Sequence, residues 1–228
     1  MFLALDTVFG QCSVAVVSSS GDILFNDTQL GKREQTQQIL PMVQSALKDT
    51  DLTLDELSAL VFNRGPGAFS GIRINTAVVQ ALSVAHDLPC VGISSLQVMA
   101  QAANEQYQLD RCYAAHDARM KQVYLGAFAV NNGIIQPLPS AIEAQGHECL
   151  LDYDAKTLLN LALVGDGAPL LTLQGDQSIF ADIQTDAAIL GRLGAAHFAI
   201  NGGVAAEQAL PVYLRNHAWK TLKEQGKA

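Results

Sequence analysis

Positive charge is scarce in this sequence: 14 lysines and arginines stand against 22 aspartates and glutamates, a formal net charge of −8 over 228 residues. Affinity for nucleic acid comes largely from Lys and Arg that displace counterions from phosphates, so this balance excludes tight unaided binding to RNA or DNA. Any role on RNA has to be shared with a partner. Long apolar runs are missing as well. Nowhere do about 18 uncharged apolar residues follow one another, which excludes a membrane-spanning helix. The opening "MFLALDTVFG" carries no basic stretch and Asp6 breaks its apolar run, so no secretory signal is expected. Cysteine is limited to Cys12, Cys90, Cys112 and Cys149, far apart and mostly inside apolar runs. That is the distribution of small buried thiols in a reducing compartment, and the cytoplasm is the expected location.

Catalytic signatures are thin. The five histidines, His86, His116, His147, His197 and His217, show no HExxH or other close metal-ligand spacing, and no GxSxG elbow is present. The glycine-rich stretch "NRGPGAFSGIRI", residues 63–74, fits neither nucleotide motif. A dinucleotide fingerprint starting at Gly65 needs a third glycine where Ser70 stands, and a P-loop needs Gly-Lys-Ser/Thr in place of Ser70-Gly71-Ile72. Pro66 also removes a backbone N–H from the stretch that would line a phosphate nest. A structural turn or a protein contact is therefore favoured over a phosphate cradle.

What is present is an alternation of strands and helices. Apolar residues make up 49% of the chain, enough for a sizeable core in one large domain or two lobes. "MFLALD", "CSVAVVSS" and "ILFNDTQL" read as a three-stranded meander. A helix over 34–49 places Ile39, Val43, Ala46 and Leu47 on one face, with Pro41 tolerable near the first turns or as a kink. "LSALVFNR" and "PCVGIS" are buried strands, separated by a helix from 70 or 71 to about 86 with Ser70 as its N-cap and followed by a helix over 95–106. The pattern then restarts: "RCYAAHDARMKQVYLGAFAV" repeats the order strand, Asp, polar turn, strand of "MFLALDTVFGQCSVAVV", with Asp117 standing 111 residues after Asp6. A strand at "LALVGDG" and a helix over 185–200 continue the echo. The expected fold is α/β with two related lobes, divided into 1–108 and 109–228.

Two features of this layout invite function. Ala77, Ala81 and Ala85 recur every four residues beside Ile74, Val78 and Val84, a smooth stripe that either packs on its own sheet or receives a partner helix. Asp6 and Asp117, at their strand ends, either coordinate Mg²⁺ in a cleft between the lobes or cap the turns of their own hairpins.

Five ordered stretches, "LALDTVFGQCSVAVV", "REQTQQILPMV", "NRGPGAFSGIRI", "HDARMKQVY" and "PVYLRNHAWKTL", resemble the bacterial TsaB family, formerly YeaZ, across nearly the whole chain. The resemblance implies an ASKHA (acetate and sugar kinase, Hsc70, actin) fold of two ribonuclease-H-like lobes. It also implies work without catalysis. TsaB proteins pair with the catalytic paralogue TsaD, and with the ATPase TsaE the assembly transfers a threonylcarbamoyl group from its adenylate, made by TsaC, to position 37 of ANN-decoding tRNAs. The family contact is a helical bundle of first lobes, which maps here to Gln35, Ile39, Met42, Val43 and Ala46 of one helix and Ile74, Ala77, Val78, Ala81 and Ala85 of the next. Asp6, Arg64, Gly65, Gly67, Ser70 and Arg73 are carried as candidate anion or nucleotide contacts, and no catalytic or metal-binding residue is assigned. The chain departs from its relatives at Gln35, where His is common, and at Ala68-Phe69-Ser70, where Ser-Phe-Thr is common. The paired histidines of the TsaD metal site are lacking, which argues against the glycoprotease activity once attached to the family.

Three readings follow. The chain is a scaffold for a TsaD-like heterodimer partner, reaching a TsaE-like ATPase and tRNA only through the complex, with ATP and Mg acting at partner subunits and no cofactor of its own. Alternatively it is an independent phosphotransferase using Asp6 and the "GDG" at 165–167, or a module that homodimerises through the same helix face when alone.

Overall fold

The computed structural model describes residues 1–31, 35–138, 147–156 and 159–215. Three strands open the chain, β1 (Phe2–Asp6), β2 (Gln11–Val17) and β3 (Ile23–Leu30), each antiparallel to the one before. Helix α1 (Gln35–Asp49), β4 (Ala59–Asn63), α2 (Phe69–His86), β5 (Cys90–Ile93) and α3 (Ser95–Tyr107) complete the first half. β4 pairs parallel with β1 and β5 parallel with β4, giving the order β3-β2-β1-β4-β5.

The second half lays down β6 (Arg111–Arg119), β7 (Gln122–Asn131), β8 (Ile134–Pro137), β9 (Glu148–Asp152), β10 (Ala162–Val164) and β11 (Ile179–Phe180), then helix α4 (Ala187–Asn201). β6 is antiparallel to β7 and parallel to β10, which is parallel to β11. β8 and β9 share the outer edge of β7, β8 along Phe128–Asn131 and β9 along Gln122–Gly126. The order is therefore β8-β7-β6-β10-β11, the topology of the first sheet again with β9 added. The fold is a duplicated α/β fold with two ribonuclease-H-like sheets, the ASKHA architecture.

Alternation along the central strands explains the layering. Leu3, Leu5, Val14, Val16, Leu60 and Phe62 point to one face, where Ile39, Met42, Val43 and Ala46 of α1 and Val79 of α2 cover them. Phe2, Ala4, Ala15, Val17, Ala59 and Val61 point to the other, under Val98 and Ala102 of α3 and the small residues of α4. Strands buried on both faces read as continuous apolar runs, as these do. α3 is apolar around most of its girth because its other side, Leu96, Met99, Ala100 and Ala103, packs on Cys112, Ala114, Phe128 and Val164 of the second sheet. Ser94 caps this helix, its hydroxyl accepting from the amide of Leu96 at 3.1 Å. All four cysteines are unpaired and three are fully buried; burial pushes the Cys12 thiol up to about 11 and the Cys112 thiol up to about 12. No described helix is long and apolar enough to cross a membrane.

Several expectations need correction. α4, assigned with residues 109–228 to the second lobe, packs on the first sheet, because Ala187, Ala188, Gly191, Gly194 and Ala195 present a surface smooth enough to lie flush on the side chains of Ala4, Val17 and Val61. Ser70 lies inside the first turn of α2; Ala68 holds the N-cap position, without a side-chain hydrogen bond. Pro41 sits in the second turn of α1 on the exposed face. The residues "KRE" at 32–34 and the tail "HAWKTL", with His217, lie outside the described residues.

The α4 contact is testable. A Cβ on Gly194 would fall 2.3 Å from Val61 Cγ1, and a β-branched neighbour on a strand has little freedom to yield. Gly194→Ala, which would raise the stability of an ordinary helix by about 1 kcal/mol, is expected to lower it by about 1–3 kcal/mol in chemical denaturation. Adding Val61→Ala should recover part of the loss. A stabilised Gly194→Ala protein would mean that α4 does not approach the sheet this closely.

Candidate functional site

The residues of "NRGPGAFSGIRI" converge on the turn between β1 and β2. Asn63, the last residue of β4, is fully buried and makes four hydrogen bonds. Its amide nitrogen donates to Asp6 Oδ2 at 3.0 Å. Its side-chain oxygen accepts from the Gly65 amide at 3.0 Å and the Ser95 hydroxyl at 2.6 Å. Its carbonyl accepts from Asn75 of α2 at 3.0 Å. β1, the glycine loop and α3 thus meet on one side chain, and α2 on the backbone carbonyl of the same residue. Sequence reasoning passed over Asn63; its signal was a polar residue closing the otherwise apolar strand "ALVFN" directly before an Arg-Gly-Pro turn.

The glycines are there for close approach. Gly65 has φ +90°, a left-handed conformation that favours glycine. A Cβ on Gly67 would sit 2.3 Å from Val8 Cγ1, and one on Gly71 would sit 2.2 Å from the carbonyl oxygen of Thr7. The Thr7 hydroxyl in turn donates to the Gly71 carbonyl at 2.7 Å. The loop and the start of α2 therefore press directly onto the Thr7–Val8 turn.

Asp6 is sealed beneath this contact. Its Oδ1 accepts from the Val8 amide at 2.8 Å, and with Oδ2 on Asn63 both oxygens are engaged. Burial pushes its carboxyl up to about 6, against the opposing pull of the Val8 amide and the Asn63 side chain. As a candidate nucleotide contact Asp6 is corrected: it caps its own hairpin and does not reach solvent. Asp117 repeats the turn, with Oδ1 accepting from the Arg119 amide at 2.8 Å, and it also takes the Tyr153 hydroxyl at 2.9 Å. His116 Nδ1 lies 2.7 Å from Asp166 Oδ1 of the "GDG" turn, and its ring meets Phe9 edge-on at 5.5 Å between centroids. Side chains from both hairpins thus meet between the lobes. No group of three His, Cys, Asp or Glu side chains is placed to hold a metal ion among the described residues.

The two arginines part company. Arg73 lies over the Phe69 ring at 3.7 Å and donates to the Tyr213 hydroxyl at 3.1 Å, on the exposed start of α2 beside Ser70. Arg64 instead enters a cleft beside β5 and α4.

The interface residues divide in the same way. Gln35, Ile39, Met42, Val43 and Ala46 are buried in the chain's own core, a correction to their expected role as contact residues. Gln35 donates to the carbonyls of Thr7 at 3.0 Å and Gln11 at 2.8 Å, an internal tie between α1 and the first hairpin. Their apolar period faces the sheet, as the plainer of the two readings of such stripes holds. On α2 the outcome is reversed. Ala77, Ala81, Val84 and Ala85 are exposed, Ile74 and Val78 are half-buried, and Val84 is 76% exposed. Beside them the exposed face of α1 carries Leu40, Pro41 and Gln44.

Twin sheets of one topology, coupled through α3, define a two-lobed ASKHA-type protein. The family model described as "TsaD: tRNA N6-adenosine threonylcarbamoyltransferase" matches residues 28–222. The chain is 35% identical to the "tRNA threonylcarbamoyladenosine biosynthesis protein TsaB" of Escherichia coli K12, across 96% of this chain and 97% of that protein. It is 43% identical to the protein of the same name from Haemophilus influenzae over 54% of this chain, a match that spans about half, 51%, of that relative. The solved "YeaZ from Pseudomonas aeruginosa" superposes with a TM-score of 0.82 at 33% identity, covering 93% of this chain and 99% of the other. The chain belongs to the TsaB (YeaZ) family.

The state of Asp6 gives a pH signature. Its folded carboxyl titrates near 6 and its unfolded one near 4, so between those values the folded state keeps a proton that the unfolded chain has lost. Stability should fall as pH rises through that window and level off above it, by about 3 kcal/mol at most from this group. Urea titrations of the wild type and of Asp6→Asn from pH 4 to 7 should show the difference between them changing by that amount, since only the wild type titrates there. A difference that stays flat would mean that Asp6 is solvated and charged throughout.

Proposed function

We propose that this chain is a non-catalytic scaffold of the machinery that makes threonylcarbamoyladenosine on tRNA, and that it binds a TsaD-like catalytic paralogue through the outer face of α2. Membership in the TsaB family supports the process, and the observation that carries the role is the exposed stripe Ala77, Ala81, Val84 and Ala85. An apolar helix face without large side chains lets a second helix approach closely, and its exposure in the isolated chain marks it for a partner. Ile74 and Val78 border the stripe and extend the apolar area.

The rest of the reading follows from charge and burial. A chain of net charge −8 contacts tRNA only within the complex. ATP and Mg act at the partner subunits, including a TsaE-like ATPase, and the chain needs no cofactor of its own. The phosphotransferase reading is disfavoured because Asp6, its intended Mg ligand, is buried with both oxygens engaged. A self-dimer through the same stripe is the expected state when the paralogue is absent.

Analytical ultracentrifugation of the chain with its TsaD-like paralogue tests this. A heterodimer is expected for the wild type. Ala81→Arg, which places an unpaired charge in the interface, should weaken association roughly a hundredfold or more, while the exposed position leaves the melting temperature unchanged. Normal association of the variant would overturn the proposed surface.

A further inference from the structure

A cleft of about 400 Å³ opens at the edge strand β5 of the first sheet, between it, the end of α4 and β8. Arg64, Gln97, His147, His197, Asn201 and Gln208 are among its polar lining, with Gln136 of β8. In a chain with 22 carboxylates and 14 Lys and Arg, none of the cleft's described lining residues is an Asp or Glu. Val91, Ile93, Pro137 and Leu210 add an apolar floor.

Arg64 is out of place by ordinary rules. Its side chain crosses Gly92, where a Cβ would lie 3.4 Å from Arg64 Cδ and 3.0 Å from Phe62 Cζ, so the glycine leaves the passage open. Its Nε is buried and has no hydrogen-bond partner, and no ion pair is formed by Arg64 among the described residues. A buried N–H of a charged group left unpaired is costly, and such groups are normally satisfied by a carboxylate or phosphate. The nearby His197 points the same way. Burial, and after it the positive charge of Arg64, hold the His197 ring below the ordinary imidazole range, and both groups line the one cleft with no carboxylate among its described lining.

The geometry points to an oxyanion-binding site in this cleft, in which Arg64 grips a phosphate or carboxylate group side-on through Nε–H and a terminal N–H, with Asn201, Gln208 or His197 as further donors and the body of a small molecule on the apolar floor. The unpaired atom itself selects this mode, since Nε is used only when a guanidinium meets its anion along its side. The volume admits a molecule of up to roughly the size of a mononucleotide and excludes a folded chain. The site shares no lining residue with the α2 stripe and sits at the β5 edge of the first sheet, where Phe62 and Cys90 of one face meet His197 and Asn201 of α4 from the other.

The test is an NMR titration of the full chain with inorganic phosphate and, separately, acetate, following the Arg64 Nε–H and His197 ring signals. Saturable shifts of both signals with one probe are expected, and whichever probe binds tells phosphate chemistry from carboxylate chemistry. Arg64→Gln should weaken binding roughly tenfold or more, and Arg64→Lys, which keeps the charge and loses the side-on fork, should weaken it by a similar factor. Because the wild-type signals report directly, the result does not depend on either variant folding. Arg64 and His197 signals that stay unmoved by both probes, or binding unchanged in Arg64→Lys and Arg64→Gln, would overturn the assignment.

Discussion

The hydrogen bonds of Asn63 are the constraint on which the first lobe depends. A buried amide side chain has two donors and an acceptor oxygen to satisfy, and here the acceptor serves the Gly65 amide and Ser95 while a donor serves Asp6. Each of those partners belongs to a different element, so the side chain sets the relative position of β1, the glycine loop and α3 at once. It also fixes its own orientation, since turning the amide over would face an N–H₂ group toward the Gly65 N–H. A network of this kind is costly when half made, because every remaining polar atom lies in a low-dielectric interior.

This network decides what the glycine loop can do. A phosphate cradle needs free backbone N–H groups pointing into an open nest. In this loop the Gly65 amide is spent on Asn63, Pro66 has none, and Gly67 and Gly71 are flush against Val8 and Thr7. Glycine has been used to bring the start of α2 onto the first hairpin, and the consequence reaches the surface. With its inner side pinned by Asn75 to the Asn63 carbonyl and by Gly71 to Thr7, α2 presents its alanines outward in a fixed orientation.

The sheets were legible because strands buried on both faces leave long apolar runs, and the two hairpins were legible because each carries an Asp at or near the end of its first strand that accepts the amide two residues on, Val8 for Asp6 and Arg119 for Asp117. Helix faces were only half legible. Periodicity shows that α1 and α2 each have an apolar side and says nothing of which side meets the sheet. In α1 the large residues Ile39, Met42 and Val43 turn inward, whereas in α2 the inward positions go to Gly71, Ile72, Asn75, Thr76, Val79 and Ser83, and the alanines are left outside. A mixed polar and small inner face is the unusual arrangement, and it reflects how closely α2 sits on the first hairpin. The destination of α4 was hidden for a related reason. Its sequence is apolar nearly all round, and which of two similar sheets receives it depends on Val61 and Val17 fitting Gly194 and Gly191. Such pairings are long-range and carry no local pattern.

Asn63 and Arg64 are neighbours in the chain, and their side chains serve different faces of the first sheet. Asn63 reaches the turn that orients α2, and Arg64 runs over Gly92 into the cleft beside α4. The backbone between them is held on both sides, with the Arg64 amide donating to Ile93 at 2.9 Å and its carbonyl accepting from Val212 at 2.9 Å. From Val212 the chain passes to Tyr213, which touches Phe69 and Arg73 at the head of α2, and on to Arg215, which donates to Gln122 at 2.7 Å and to the Arg119 carbonyl at the tip of the second hairpin. A charge bound at Arg64 would therefore act on a strand end that is rigidly joined to the partner-facing helix, while the segment that crosses it ties that helix to the other lobe. The two candidate surfaces share no side chain, and they are joined through β4 and through the Val212–Tyr213 segment that runs from the Arg64 carbonyl to the head of α2.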